Sequence, residues 1–239
     1  PQKKDSKNNP SRWRYLAMKK KQVYIFDAYG TLFDIDASCR NLSEKLGENW
    51  HSLSAVWRQK QLEYSWLRNS MNSYTSFWNV TKNALDFALN SADIHNKTLR
   101  HELLDSYFKI ECYPEVYSFL EGLKMGNAST CILSNGSFDM LNAAINNSEL
   151  NDLLDAVLSV DLCKKFKPAA EVYQLVLNQY PKNEHEFLFF SSNCWDIHGA
   201  SNFGFKSVWV NRFNRVNDIL PGSPDYIVKS LMDFQNNHL

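Results

Sequence analysis

The 239-residue chain has no net charge to offer a partner: 26 lysines and arginines balance 26 aspartates and glutamates. Without a net field to draw phosphate backbones or acidic lipid, and without a nucleic-acid motif in its local basic clusters, the sequence argues against nucleic-acid and membrane partners. Also missing is any apolar run near the ~20 residues that a membrane helix needs. The five cysteines, Cys39, Cys112, Cys131, Cys163 and Cys194, are odd in number and scattered, and none stands in CxxC spacing. That argues against a disulfide framework or zinc site and fits reduced thiols in a cytosolic protein better. Internal repeats are absent. Residues 36–112 contain no proline and a single glycine, Gly47, as a block of helices would.

Apolar material is plentiful. Hydrophobic residues make up 44% of the chain, and the aromatics (7 Trp, 11 Tyr, 15 Phe) suffice for a real core. The length suits one domain with a large insertion, or two modest domains. The polar, basic residues 1–17 lack the apolar segment of a signal peptide. They are expected to be a disordered extension or a cloning remnant before a fold beginning near Met18, the competing reading being a basic arm that binds a partner.

Val23-Tyr24-Ile25-Phe26 reads as a short buried strand. The block 36–112 reads as helices, with 52–71 the clearest and Ser52 its expected N-cap. After Pro114 the texture alternates: helix over 115–123, strand from 129, helix over 139–150, strand over 156–160. A helix is then expected from Pro168, as its first residue, to Gln179. A strand over 187–192, a helix over 196–203 and a strand over 207–211 follow. Alternating strands and helices predict a parallel sheet covered on both faces. The expected architecture is therefore an α/β, Rossmann-like three-layer core over 18–35 and 113–239, with an inserted helical cap over 36–112.

Ligands of such sheets bind beyond the carboxyl ends of the strands. The residues there are Asp27 and Thr31, then Ser134, Asn135 and Gly136, then Lys167 before Pro168, then Ser191, Ser192, Asn193 and Asp196. Each alone is an ordinary turn or cap residue. Four successive strand ends carrying carboxylates, hydroxyls, amides and an ammonium describe a reaction centre.

These segments, FDAYGTLFD (26–34), LSNGS, FKPAAEVY and FFSSNCWD, resemble the haloacid dehalogenase superfamily. WRQKQLEYSWLRNSMNSY (57–74) and SSNCWDIHGASNFGF are closer to its L-2-haloacid dehalogenase (type II) branch, and the resemblance runs from about residue 22 to 235. Superfamily phosphatases carry a second aspartate two residues after the nucleophile; here Tyr29 stands there. Asn193 and Asp196 replace the acidic pair that usually holds their Mg²⁺. No metal and no cofactor is therefore expected.

The resemblance implies that Asp27, ionised without help at a usual carboxylate pKa of ~3.9, attacks C2 of a short L-2-haloacid. Halide leaves, an aspartyl ester forms, and water releases a D-2-hydroxyacid. It assigns Arg58 and Asn135 to the halide, and Ser134 and Lys167 to the substrate carboxylate. Thr31 and Tyr173 would orient Asp27 and Lys167, while Asp196, Asn193 and Ser191 would prepare the water. Tyr29, Gln59, Leu62, Phe77 and Trp195 would form the wall, and a homodimer is common in the family. The competing readings are a Mg²⁺-dependent phosphatase of the same fold, and an inactive fold kept for binding.

Overall fold

The computed structural model describes residues 20–239, so the expectation for residues 1–17 lies outside the described residues. The first strand, β1 (Lys21–Phe26), is buried from Val23 onward, since both faces of a parallel sheet are covered. A block of five helices follows: α1 (Ala37–Arg40), α2 (Ser43–Leu46), α3 (Trp50–Ser70), α4 (Phe77–Ser91) and α5 (Lys97–Phe108). Then come α6 (Val116–Met125), β2 (Ser129–Ser134), α7 (Phe138–Asn147), β3 (Ala156–Ser159), α8 (Ala170–Gln179), β4 (His185–Ser191), α9 (Cys194–Phe203), β5 (Lys206–Val210), β6 (Tyr226–Val228) and α10 (Leu231–His238).

The six strands form one sheet in the order β3-β2-β1-β4-β5-β6, with every neighbouring pair parallel. The chain runs outward from β1 through β2 to β3, then returns to the other side of β1 at β4. That reversal makes β1 the switch point, and the crevice beyond its carboxyl end is where such folds bind ligands. Asp27 is the first residue past β1, and its N–H donates to the Phe190 carbonyl of β4 at 2.9 Å.

Within the helical block, α4 buries Phe77, Val80, Thr81, Ala84, Leu85, Ala88 and Leu89, a stripe at helical spacing. It packs on α3, whose buried row Leu53, Trp57, Gln61 and Ser65 recurs every four residues. The Trp57 indole N–H donates to the Thr81 carbonyl at 2.9 Å, tying the pair. Phe33 and Cys112 form an antiparallel bridge where the chain leaves and re-enters the sheet layer.

Three sequence expectations need correction. Ser52 is not the N-cap of α3: helix begins at Trp50, because a 3₁₀ turn over Gly47–Asn49 feeds directly into it. Pro168 does not open α8. It follows a cis Lys167–Pro168 bond and sits in a turn closed by the Ala169 N–H on the Phe166 carbonyl, so helix starts at Ala170. β6 and α10 were not foreseen, β6 being three residues long and α10 mostly polar.

Candidate active site

The loop after β1 is shaped by Gly30, whose φ of +90° is a conformation that side chains with a Cβ resist. It folds Thr31 back over Asp27. The Asp27 side chain is nearly sealed from solvent and its two oxygens have unequal company. Oδ2 accepts three hydrogen bonds, from Thr31 Oγ1 at 2.9 Å, Ser191 Oγ at 3.2 Å and Asn193 Nδ2 at 2.8 Å. Oδ1 accepts one, from Lys167 Nζ at 3.1 Å.

The donors are themselves fixed. Thr31 Oγ1 accepts the Ser192 N–H at 2.8 Å, and Ser191 Oγ accepts the Asn193 N–H at 3.1 Å. The Asn193 amide also donates to the Tyr29 carbonyl at 3.2 Å. Behind the loop, the Arg212 guanidinium donates to the Thr31 carbonyl at 2.9 Å, pairs with Glu115, and stacks 4.0 Å over the Tyr113 ring.

Lys167 is fully buried. Its ammonium lies between two carboxylates, 3.1 Å from Asp27 Oδ1 and 2.8 Å from Asp196 Oδ2. Burial alone would lower the lysine's pKa; attraction to Asp196 and Asp27 outweighs it and holds the ammonium above its ordinary value. Burial pushes Asp196 up to about 6, against the opposing pull of Lys167. The Tyr173 hydroxyl donates to Asp196 Oδ1 at 2.7 Å. This corrects one expectation: Tyr173 orients Asp196 rather than Lys167, and it stands outside the cavity. Gly199 is required here, because a Cβ would strike the Tyr173 hydroxyl and come within 2.8 Å of Pro168 Cβ.

A small cavity touches Asp27, Tyr29, Arg58, Leu62, Phe77, Ser134, Asn135 and Trp195. Seven of these eight were expected to bind substrate or halide, and Asp27 to attack. Asn135 accepts the Lys167 N–H on its Oδ1 at 2.8 Å, which leaves its amide N–H groups for the cavity. Ser134 Oγ accepts the Gly136 N–H at 3.0 Å. Lys167 does not line this cavity, being engaged by the two carboxylates. Gln59 is exposed and lines a separate outer cleft of about 460 Å³, which shares Arg58 and Leu62 with the inner cavity.

Arg58 reaches over from α3. Its Nη2 donates to the Asn193 Oδ1 at 3.2 Å and to the Tyr29 carbonyl at 3.3 Å. Its Nη1 lies 3.5 Å from Gln61 Oε1. Gln61 is oriented by its own donation to Thr81 Oγ1 at 3.0 Å, and the Tyr107 ring stacks on Tyr29 with centroids 5.6 Å apart. Gln61, Thr81, Tyr107 and Arg212 were not singled out from the sequence. The one available signal was a glutamine and a threonine at helix positions that spacing assigns to the core.

A parallel α/β sheet whose switch-point aspartate faces a small, largely apolar cavity defines a hydrolase-like centre built on carboxylate chemistry. A family model described as haloacid dehalogenase-like hydrolase matches residues 21–204. The chain is 43% identical to (S)-2-haloacid dehalogenase 1 of Pseudomonas sp. (strain CBS-3), over 80% of this chain and 85% of that protein. It is 34% identical to haloacetate dehalogenase H-2 of Moraxella sp. (strain B), over 88% and 95% of the two chains. The L-2-haloacid dehalogenase of Xanthobacter autotrophicus with chloropropionic acid covalently bound superposes with a TM-score of 0.83 at 32% identity, covering 92% of this chain and all of that one. The chain belongs to the haloacid dehalogenase-like hydrolases, in their (S)-2-haloacid dehalogenase branch.

Proposed function

We propose that the protein hydrolyses short L-2-haloacids, haloacetates and 2-halopropionates among them, to D-2-hydroxyacids and halide through an ester on Asp27. The observation that carries this is the asymmetry of the Asp27 carboxylate. Three donors hold Oδ2, while Oδ1 meets only Lys167 and keeps lone-pair capacity, and the Asp27 side chain lines the inner cavity. A nucleophile fixed by one oxygen and open at the other is prepared for displacement. Oδ1 forms a bond to C2 as the carbon–halogen pair leaves with the halide, which inverts C2. The covalently held chloropropionic acid of the Xanthobacter relative supports such an adduct.

Departing halide is a new anion and needs preorganised donors. The Arg58 guanidinium and the unengaged Asn135 amide serve it, and Ser134 receives the substrate carboxylate. The Lys167 ammonium, 3.1 Å from Oδ1, pairs with the Asp27 carboxylate before attack. Water then adds to the ester carbonyl carbon, and its proton passes to Asp196, whose pKa near 6 suits a base at neutral pH. Ester cleavage returns Asp27 as a carboxylate and releases the hydroxyacid.

The phosphatase reading fares worse. Tyr29 occupies the place of the second aspartate, and no acid there can protonate a phosphate ester's leaving group. A divalent ion also fits the donor set poorly, because the Lys167 ammonium already stands as the cation between the Asp27 and Asp196 carboxylates, 3.1 Å from one and 2.8 Å from the other. We read residues 36–112 as a cap that contributes Arg58, Leu62 and Phe77 to the cavity. A homodimer and a cytoplasmic location remain parts of this proposal; for the location, five free thiols are the support.

The test is release of chloride from L-2-chloropropionate and of phosphate from a generic monoester, each with and without EDTA. Chloride release indifferent to chelator is the expected result. Magnesium-dependent phosphate release without halide release would overturn the proposal, and tight protein binding with no turnover of either would favour the inactive fold.

A further inference from the structure

The outer cleft is lined by Asp36, His51, Arg58, Gln59, Phe213 and Arg215, among others. It meets the inner cavity at Arg58 and Leu62, which line both. The charges around it are not equivalent. Two nearby arginines are neutralised, Arg40 by Asp34 and Arg212 by Glu115. The two that line the cleft, Arg58 and Arg215, have no carboxylate partner among the described residues. Asp36 is the opposing charge, and its Oδ1 is occupied by the Ser54 hydroxyl at 2.6 Å.

Arg215 is also held in place. Its N–H donates to Asn211 Oδ1 at 2.8 Å, its carbonyl accepts from Asn211 Nδ2 at 2.9 Å, and its guanidinium stands 5.3 Å from the Phe213 ring centroid. An unpaired cation on a braced turn, at the wall of a cleft whose other unpaired cation borders the reaction cavity, makes a path of positive potential. Low-dielectric walls focus such a field and raise the local concentration of anions.

We propose that this cleft is the vestibule of the reaction cavity and that Arg215 recruits the carboxylate of the incoming 2-haloacid to it before the substrate passes Arg58 and Ser134 receives the carboxylate in the inner cavity. The inference rests on the functional reading above and adds an access route and a recruiting residue to it. Arg215 touches no reacting atom: it acts on capture, and the chemistry proceeds without it.

The experiment compares wild type with Arg215→Ala, Arg215→Glu, Arg215→Lys and, as a remote charge control, the exposed Lys182→Ala. Halide release from L-2-chloropropionate is followed at about 0.01 M and 1 M ionic strength, where the Debye length contracts from about 30 Å to about 3 Å. At low salt kcat/KM should fall about threefold to tenfold in Arg215→Ala and further in Arg215→Glu. It should recover in Arg215→Lys and stay at the wild-type value in Lys182→Ala. The gap should close at high salt, with kcat changed less than twofold throughout. Equal kcat/KM in wild type and Arg215→Glu at low salt overturns the proposal, as does a loss of kcat that matches the loss of kcat/KM. Binding of unreacted L-2-chloropropionate to Asp27→Asn, with and without Arg215→Glu, gives a readout independent of turnover. Equal affinities there sink the vestibule, whereas absence of halide release by wild type sinks the functional reading alone.

Discussion

The two sides of the cavity are built to different standards. On the sheet side, Asp27 takes four hydrogen bonds of 2.8–3.2 Å from Thr31, Lys167, Ser191 and Asn193, and Lys167 is sealed between two carboxylates. On the helical side, Arg58 is half-buried and its contacts run from 3.2 to 3.5 Å. A group that must attack along one line gains from being immobile, since misplacement of a reacting atom is costly. A group that must receive a departing anion has to release its resting partners, so weak contacts to Asn193 and the Tyr29 carbonyl suit it.

Breaking the rigid side should cost most. Asp27→Asn preserves shape but removes the anionic oxygen, so halide release should fall to background while the thermal unfolding curve stays close to wild type. In wild type, one turnover in ¹⁸O-water should place the label on Asp27, read by mass spectrometry of its peptide; label found only in the product would rule out an ester. Lys167→Met should damage the fold as well. It leaves Asp27 and Asp196 buried without their shared cation, a change worth about 3–5 kcal/mol when a buried pair loses one partner. Urea unfolding measures it, and a loss under about 1 kcal/mol would mean that water reaches these carboxylates.

Breaking the loose side should cost less. Arg58→Lys keeps the charge but loses the planar fork that spans Asn193, Tyr29 and Gln61. A fall in kcat/KM of roughly 10²-fold is expected, the scale of removing one well-placed oxyanion donor, with stability unchanged. An unaltered rate would take Arg58 out of the halide site.

The same contrast governs what could be read from the sequence. The sheet side was legible because Asp27, Ser134 and Ser191 each stand at or just past a strand end, where a polar residue after a buried apolar run is conspicuous, and Lys167 closes the basic loop that follows β3. The helical side was legible at Arg58, Leu62 and Phe77 only through a resemblance. Gln61 and Thr81 fall in rows whose spacing marks core, and nothing local distinguishes a buried amide with a task from one that fills space. Arg212 lies 181 residues from the Thr31 carbonyl it holds, a pairing that only the parallel sheet creates. Tyr173 was assigned to Lys167 because the two share one motif; the fold brings Asp196 closer. Gln59 neighbours Arg58 in sequence and lines the outer cleft with it but does not reach the inner cavity, which takes the row of Arg58 and Leu62, four residues apart on α3.

The pH profile sharpens the comparison on the sheet side. Asp196 must be ionised to accept a proton from water, so the hydrolytic step should fail as pH drops through about 6 and level off above it. The Tyr173 hydroxyl bond favours the ionised form of Asp196. Tyr173→Phe removes that bond, which raises the carboxyl's pKa further, and the acid limb of kcat should move to higher pH. A limb that stays in place would mean that a different group, or a different step, sets it.

The smallest effect should come from behind Arg58. Gln61 Oε1 faces the guanidinium because its amide nitrogen is committed to Thr81, 3.0 Å away, yet the reach to Arg58 Nη1 is 3.5 Å, a weak hydrogen bond at best. Gln61→Leu keeps most of the volume and strands the Thr81 hydroxyl, so a stability cost of about 1 kcal/mol is expected for the lost partner. If Arg58 is held chiefly by Asn193 and Tyr29, kcat should change by less than about threefold and the acid limb not at all. A loss approaching that of Arg58→Lys would reverse the comparison, for it would mean that the helical side is preorganised after all, through the amide rather than through the contacts that look shortest.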